Sequence, residues 1–152
     1  WMDKLEFFKD RGAVPPGIIF DGSPRKILEA ELLDQALEWY EWGGDACVLV
    51  IDISRDIAMD RLINRRVCEK CGKLIPWIGA KKDLTLCDTC GGKLIKRMDD
   101  TPEGINSRLD LFEKETVPVI EYYRKKGQLT IVNGEQSIED VYREVKGALN
   151  VH

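Results

Sequence analysis

Apolar residues along this chain follow two periods, and the periods alternate. Gly17-Ile18-Ile19-Phe20-Asp21 is a short apolar run that ends on a carboxylate, the pattern of a strand. From Lys26 to Trp42 the apolar positions Ile27, Ala30, Leu33, Leu37 and Tyr40 recur three or four apart, which predicts a helix stopped by Gly43-Gly44. Ala46 to Ile51 is a continuous apolar run, Cys47 included, as expected of a strand buried on both faces of a parallel sheet. Ser54 or Asp56 can open the next helix, which runs toward Arg66. Thr101 as cap and Pro102 at the first helical position predict a long helix to Lys126, which Pro118 should kink or split. Gln128 to Val132 reads as a further strand, and Ser137-x-x-Asp140 opens a last helix over 138–149. Upstream, residues 3–11 read as the end of a helix and 12–17 as a break. Strands alternating with helices define an α/β fold, a parallel sheet with helices on both faces. Ligands of such sheets bind at the carboxyl ends of strands, where Asp21 to Arg25 would lie.

One stretch fits neither period. Cys68, Cys71, Cys87 and Cys90 form two C-x-x-C pairs with fifteen residues between them. Each pair aims two thiolates at one point, and two pairs complete a tetrahedral zinc site. A four-cysteine site has no open position, so the metal would be structural. Disulfides are the weaker alternative, because no signal peptide and no other secretory feature is visible. The chain is expected in the cytoplasm, and no apolar run is long enough to span a membrane.

Composition is that of a globular protein, 43% hydrophobic and 33% charged among 152 residues. The net charge of −4 conceals an asymmetry: Arg61 to Arg97 holds ten Lys/Arg against three Asp/Glu, so the remainder carries the acid. Four thiolates on zinc add about −2 and leave the insert basic. A basic insert is either a solvated loop or a flap that closes over phosphates.

Asp21-Gly22-Ser23-Pro24-Arg25 puts a carboxylate suited to Mg²⁺ and a guanidinium suited to phosphate within one turn. Arg61-Leu62-Ile63-Asn64-Arg65-Arg66 leads into the insert, Arg97-Met98-Asp99-Asp100 leaves it, and Arg108 follows. In this order, and together with the segments 116–123 and 132–136, these motifs resemble the adenylate kinase family over nearly the whole chain. The resemblance implies a P-loop nucleoside monophosphate kinase-like core, N-terminally incomplete, at 1–66 and 98–152. It also implies a zinc-binding lid at 67–97. It implies transfer of a phosphoryl group between ATP and AMP to give ADP, with Zn²⁺ structural and Mg²⁺ accompanying ATP. Gly22, Ser23, Pro24, Arg25, Glu29, Arg97 and Arg108 would bind AMP. Arg61, Arg65, Leu74, Ile75 and Gln136 would bind ATP. Asp21 would organise Mg²⁺, and Arg65, Arg97 and Arg108 would be catalytic. The family suggests a monomer, without membrane or nucleic-acid partners.

The sequence departs from the family pattern in places. It contains no G-x-x-x-x-G-K phosphate loop. The expectation is therefore a fragment lacking roughly 70 residues, about two strand-and-helix units, and inactive by itself; the alternatives are a partner chain supplying the missing strand, or direct pairing of strand 17–21 with strand 46–51. Ser23 replaces a Phe, Lys26 a Thr, Asn64 a Gly and Ile75 an aromatic. Glu29 stands for a Gln that reads adenine. Two other functions remain: a zinc-ribbon module for nucleic acid or protein derived from that fold, and an inert remnant. Asp99 and Asp100 would pair with arginines or hold hinge geometry, Arg66 would be solvated or ion-paired, and Trp77 would pack inside the insert.

Overall fold

The computed structural model describes residues 18–44 and 46–149, with positions 3, 6, 7 and 10. Those four positions are helical, in line with a helix over 3–11; the rest of that helix and the break at 12–17 lie outside the described residues. The chain divides into two compact units, Trp1–Val48 with Phe112–Leu129, and Leu49–Leu111 with Thr130–His152.

In the first unit, helix α1 (Ile27–Trp39) buries Ala30, Leu33 and Ala36. Ala30 packs with Val119 and Tyr123 of α4 (Val117–Lys125), and Ile27, Val48 and Tyr122 close this small core. Asp34 draws α1 and α4 together by accepting hydrogen bonds from the hydroxyls of Tyr122 (2.8 Å) and Tyr123 (3.0 Å) and from Lys126 Nζ (2.5 Å). The opposite side of α1 leaves Leu28 and Trp39 exposed.

Helix α1 ends in a Schellman turn: Trp42 N–H donates to Leu37 C=O at 2.8 Å and Glu41 N–H to Glu38 C=O at 3.0 Å. The residue in the left-handed region is Glu41 (φ 61°), and the glycines expected to stop the helix come after it. A side chain there costs roughly 1–2 kcal/mol, less about 0.5–1 kcal/mol for the greater unfolded freedom of glycine. Glu41→Gly should thus raise stability by about 0.5–1 kcal/mol in a urea melt; a loss would show that the turn is held by the Glu41 side chain.

Strand β1 (Val48–Asp52) neighbours β5 (Leu129–Asn133) in a two-stranded sheet. Val48 N–H donates to Gln128 C=O and Gly134 N–H to Asp52 C=O, so both strands run the same way. Three expectations fail here. Ile18 to Phe20 form no strand and Ile19 is 90% exposed, because no described segment offers this run a ladder; Gly17 lies outside the described residues. β1 is not buried on both faces: Ile51 is exposed, because β1 has one strand neighbour among the described residues. Cys47 is exposed, because the strand begins one residue after it.

In the second unit, α2 (Arg55–Asn64) starts after Ser54. The insert follows as a three-stranded antiparallel sheet, β2 (Arg66–Cys68) at its centre between β3 (Leu74–Ile75) and β4 (Leu94–Lys96). A 3₁₀ turn covers Gly79–Asp83. Helix α3 (Pro102–Leu111) is capped as expected: Gly104 N–H donates to Thr101 Oγ1 at 3.1 Å. The expected interruption at Pro118 takes the form of a π-helix, Phe112–Thr116, which follows α3 in the chain and belongs with α4 to the first unit. Proline has no N–H to give Lys114 C=O, and the wider turn before it absorbs the clash. Helix α5 (Ile138–Ala148) is capped by Ser137, whose Oγ accepts Asp140 N–H at 3.1 Å. No helix among the described residues is long and apolar enough to cross a membrane.

Candidate functional site

The insert is built on two matching turns. Gly72 N–H donates to Cys68 C=O and Cys68 N–H to Lys73 C=O, all at 2.9 Å. Gly91 N–H donates to Cys87 C=O and Cys87 N–H to Gly92 C=O, again at 2.9 Å. Gly72 (φ 71°) and Gly91 (φ 64°) stand in the left-handed region that each turn demands. At Gly92 a Cβ would come within 2.8 Å of Cys68 Sγ, so a side chain there would invade the sulfur cluster.

The four sulfurs lie within 4.8 Å of one another, with Cys68 and Cys90 3.5 Å apart and Cys71 and Cys87 3.7 Å apart. A tetrahedral ion with metal–sulfur bonds of about 2.3 Å separates its ligands by about 3.8 Å. These spacings suit an ion and exceed a disulfide bond, and all four cysteines are free. The thiols influence one another strongly. Backbone N–H donation, chiefly from Thr89, lowers Cys87 to about 6. Cys90 receives the Gly92 N–H, but the other three thiols and burial outweigh it and push Cys90 up to about 12. Four thiolates cannot gather here without a cation, which is the chemistry of a metal centre.

At the base of the insert three arginines from three elements meet two aspartates. Arg65, at the end of α2, grips Asp100 with Nε at 2.5 Å and Nη2 at 2.8 Å. Arg108, on α3, donates to Asp100 at 2.9 Å and stands 3.8 Å from Asp99. Arg97, following β4, is bidentate on Asp99 at 2.8 and 2.6 Å and lies 4.0 Å from Asp100. The Asp100 side chain is 1% exposed, that of Asp99 54%. Hydrogen bonding to Arg65, then to Arg108, holds the Asp100 carboxyl below its ordinary range; Arg97 lowers Asp99 to about 2. Both carboxylates precede the N-terminus of α3, where its dipole favours negative charge. Asp99 and Asp100 thus pair with arginines, as the sequence suggests.

Beside this cluster Val67, Leu74, Ile95, Lys96, Arg97 and Met98 line an open cavity of about 450 Å³. It joins an apolar floor to a guanidinium. Leu74 is half exposed, but Ile75 is 1% exposed, so only Leu74 presents a side chain. Arg61 donates to Gly134 C=O at 2.9 Å, and the neighbouring Glu135 accepts Ser54 N–H. The Gln136 amide donates to Asn133 C=O and to Glu144. Among the described residues Arg66 forms no ion pair: its guanidinium donates to the carbonyls of Lys81, Lys82 and Leu84 and lies 5.3 Å over the Trp77 ring. Trp77 is half-buried within the insert, with Lys82 also near its ring at 5.8 Å.

The remaining candidates lie in the first unit. A turn over Asp21 to Arg25 contains a cis Ser23-Pro24 bond and Gly22 at φ 71°. Arg25 folds back so that Nε donates to Gly22 C=O at 2.7 Å, and Asp21 is exposed. Glu29 accepts the Arg25 N–H at 2.8 Å, so its carboxylate satisfies a backbone donor ahead of α1. The signal for this contact in the sequence is an acid four residues after Arg25, inside the first helical turn.

An α/β chain whose four-thiol insert carries a cluster of arginines at its base belongs to a class suited to anionic ligands. The adenylate kinase family profile matches residues 6–128. Adenylate kinase of Petrotoga mobilis is 42% identical over 138 residues, 90% of this chain and 64% of that protein. Adenylate kinase of Bacillus subtilis is 40% identical over 134 residues, 88% of this chain and 61% of that protein. The chain belongs to the adenylate kinase family, whose fold is that of the P-loop nucleoside monophosphate kinases. It spans somewhat under two thirds of the length of these relatives.

Proposed function

We propose that this chain supplies the AMP-phosphate turn, the lid and the C-terminal part of an adenylate kinase, which transfers a phosphoryl group from ATP to AMP and yields two ADP. The observation that carries this reading is the gathering of Arg65, Arg97 and Arg108 at the base of a four-cysteine insert in a chain of this family. Phosphoryl transfer needs placement and charge neutralisation more than covalent chemistry. Arg65 and Arg97 would neutralise the transferring group, and Arg108 would share the AMP phosphate with Arg97. Arg25 would anchor that phosphate from the Gly22-Ser23-Pro24 turn, releasing Gly22 C=O to do so. Arg61, Leu74, Ile75 (through its backbone) and Gln136 would hold ATP. The domain partition follows: residues 67–97 close as a lid over a core formed by 1–66 and 98–152, and closure excludes water.

Zn²⁺ is the ion proposed for Cys68, Cys71, Cys87 and Cys90, where it would rigidify the lid. Mg²⁺ bound with ATP would screen phosphate charge, and the exposed Asp21 carboxylate would orient its water shell. Glu29 can accept from the adenine amino group but offers N1 no donor. A reducing compartment such as the cytoplasm would keep the four thiols available to metal.

The sequence holds no glycine-rich phosphate loop, so the chain as it stands should give no turnover in a coupled ADP assay with ATP, AMP and Mg²⁺. Joined to the phosphate-loop segment of a relative, it should turn over. In that joined enzyme Arg97→Ala should lower kcat about 10²–10³-fold, roughly 3–4 kcal/mol. A silent joined enzyme, or one indifferent to Arg97→Ala, would overturn the proposal.

A further inference from the structure

The insert carries a second cross-link besides its thiols. Lys73 stands two residues after Cys71, and its Nζ donates to Asp88 Oδ1 at 2.6 Å and to Thr89 Oγ1 at 2.6 Å. Asp88 and Thr89 are the two residues between Cys87 and Cys90. One ammonium from the first cysteine turn therefore grips both intervening residues of the second. Lys81 adds a longer contact, 3.3 Å, to the other Asp88 oxygen. The Lys73 and Asp88 side chains are 38% and 31% exposed. An ion pair so exposed contributes little to global stability. Its position gives it another effect. It holds Cys87 and Cys90 against Cys68 and Cys71, so less chain has to be ordered when an ion arrives. It also sets a positive charge beside a centre that carries about −2 once four thiolates hold a divalent metal.

We propose that Lys73 is a positioning residue of the metal centre: by clipping Asp88 and Thr89 it preassembles the four sulfurs and raises their affinity for the ion. This rests on reading the four cysteines as a metal centre. The signal for the clip in the sequence is a Lys two residues after Cys71 and an Asp directly after Cys87.

The test is an anaerobic titration of the reduced chain with Co²⁺, followed by the absorption bands of tetrahedral four-sulfur cobalt and by competition with Zn²⁺. Lys73→Met should weaken Co²⁺ binding about tenfold and leave the saturated spectrum unchanged, as loss of an outer-shell partner does. Lys73→Arg should restore most of it. Asp88→Asn should weaken binding too, and the double variant should bind no worse than Lys73→Met. Lys96→Met, which removes a lid ammonium outside the clip, should leave affinity unchanged. Affinity of Lys73→Met within about twofold of the parent, additive losses in the double variant, or an equal loss in Lys96→Met would overturn the proposal. Where Lys73→Met gives no four-sulfur spectrum at saturation, Thr89→Val decides: about threefold weaker binding supports the clip, unchanged binding overturns it. Failure of the parent chain to bind Co²⁺ would instead overturn the metal-centre reading itself.

Discussion

Chelation of the metal-loaded chain should abolish amide protection across residues 66–97 while β1 and β5 keep theirs. The insert has little else to hold it: β3 is two residues long, and of its fully buried side chains the largest is Ile75. Structural zinc contributes about 10 kcal/mol or more in isolated fingers, as much as a whole domain commonly has in reserve. Hydrogen exchange read by mass spectrometry, with and without a strong chelator, checks this. Unchanged protection after the metal is gone would mean that the strands and the Lys73 clip suffice. The effect should depend on pH in a definite sense. Metal displaces protons from the thiols, so affinity should rise as pH rises.

Asp100→Ala should cost about 3–5 kcal/mol in a urea melt, the usual consequence of removing one partner from a buried ion pair. The carboxylate is 1% exposed and accepts three hydrogen bonds, two from Arg65 and one from Arg108. Its loss leaves two guanidiniums facing each other. Asp99→Ala should do far less, because Asp99 is 54% exposed and solvent takes its place. Acid should reproduce part of the effect. The folded-state value of Asp100 lies below the unfolded value of about 3.9, so its contribution is complete above that pH and is lost as pH falls through the lowered folded value. Asp100→Asn should therefore flatten the stability profile at the acid end. An Asp100→Ala protein as stable as the parent would show that Arg65 and Arg108 find other counter-ions.

Features set by neighbours in sequence were legible. The C-x-x-C spacing gave both cysteine turns, Thr101-Pro102 gave the start of α3, and Ser137-x-x-Asp140 the start of α5, because each depends on a few adjacent backbone groups. Pro118 announced an interruption, but its π form depends on how the preceding turn relaxes. Burial was less legible. The apolar character of Ile19, Cys47 and Ile51 promised interior positions, yet a strand face is covered only by whatever lies beside it, which its own residues do not specify. The destinations of long side chains were hidden for a similar reason. Arg66 was a candidate for an ion pair and instead satisfies three carbonyls fifteen or more residues away. Pairing of Asp99 and Asp100 with arginines is legible in the sequence, but that Arg65 and Arg108 share Asp100 is visible only with α3 placed after β4.

That shared counter-ion bears on ionic strength. The three guanidiniums at the base of the insert do not face solution as three unbalanced charges, since two carboxylates leave a single net positive charge there. A polyanion that takes these arginines displaces built-in carboxylates rather than bulk chloride. Counterion release from solution is what makes charge-driven binding fade with added salt. Association at this cluster should consequently vary with salt as though it held one arginine, with selectivity set by how well the incoming anion matches the geometry the aspartates now occupy.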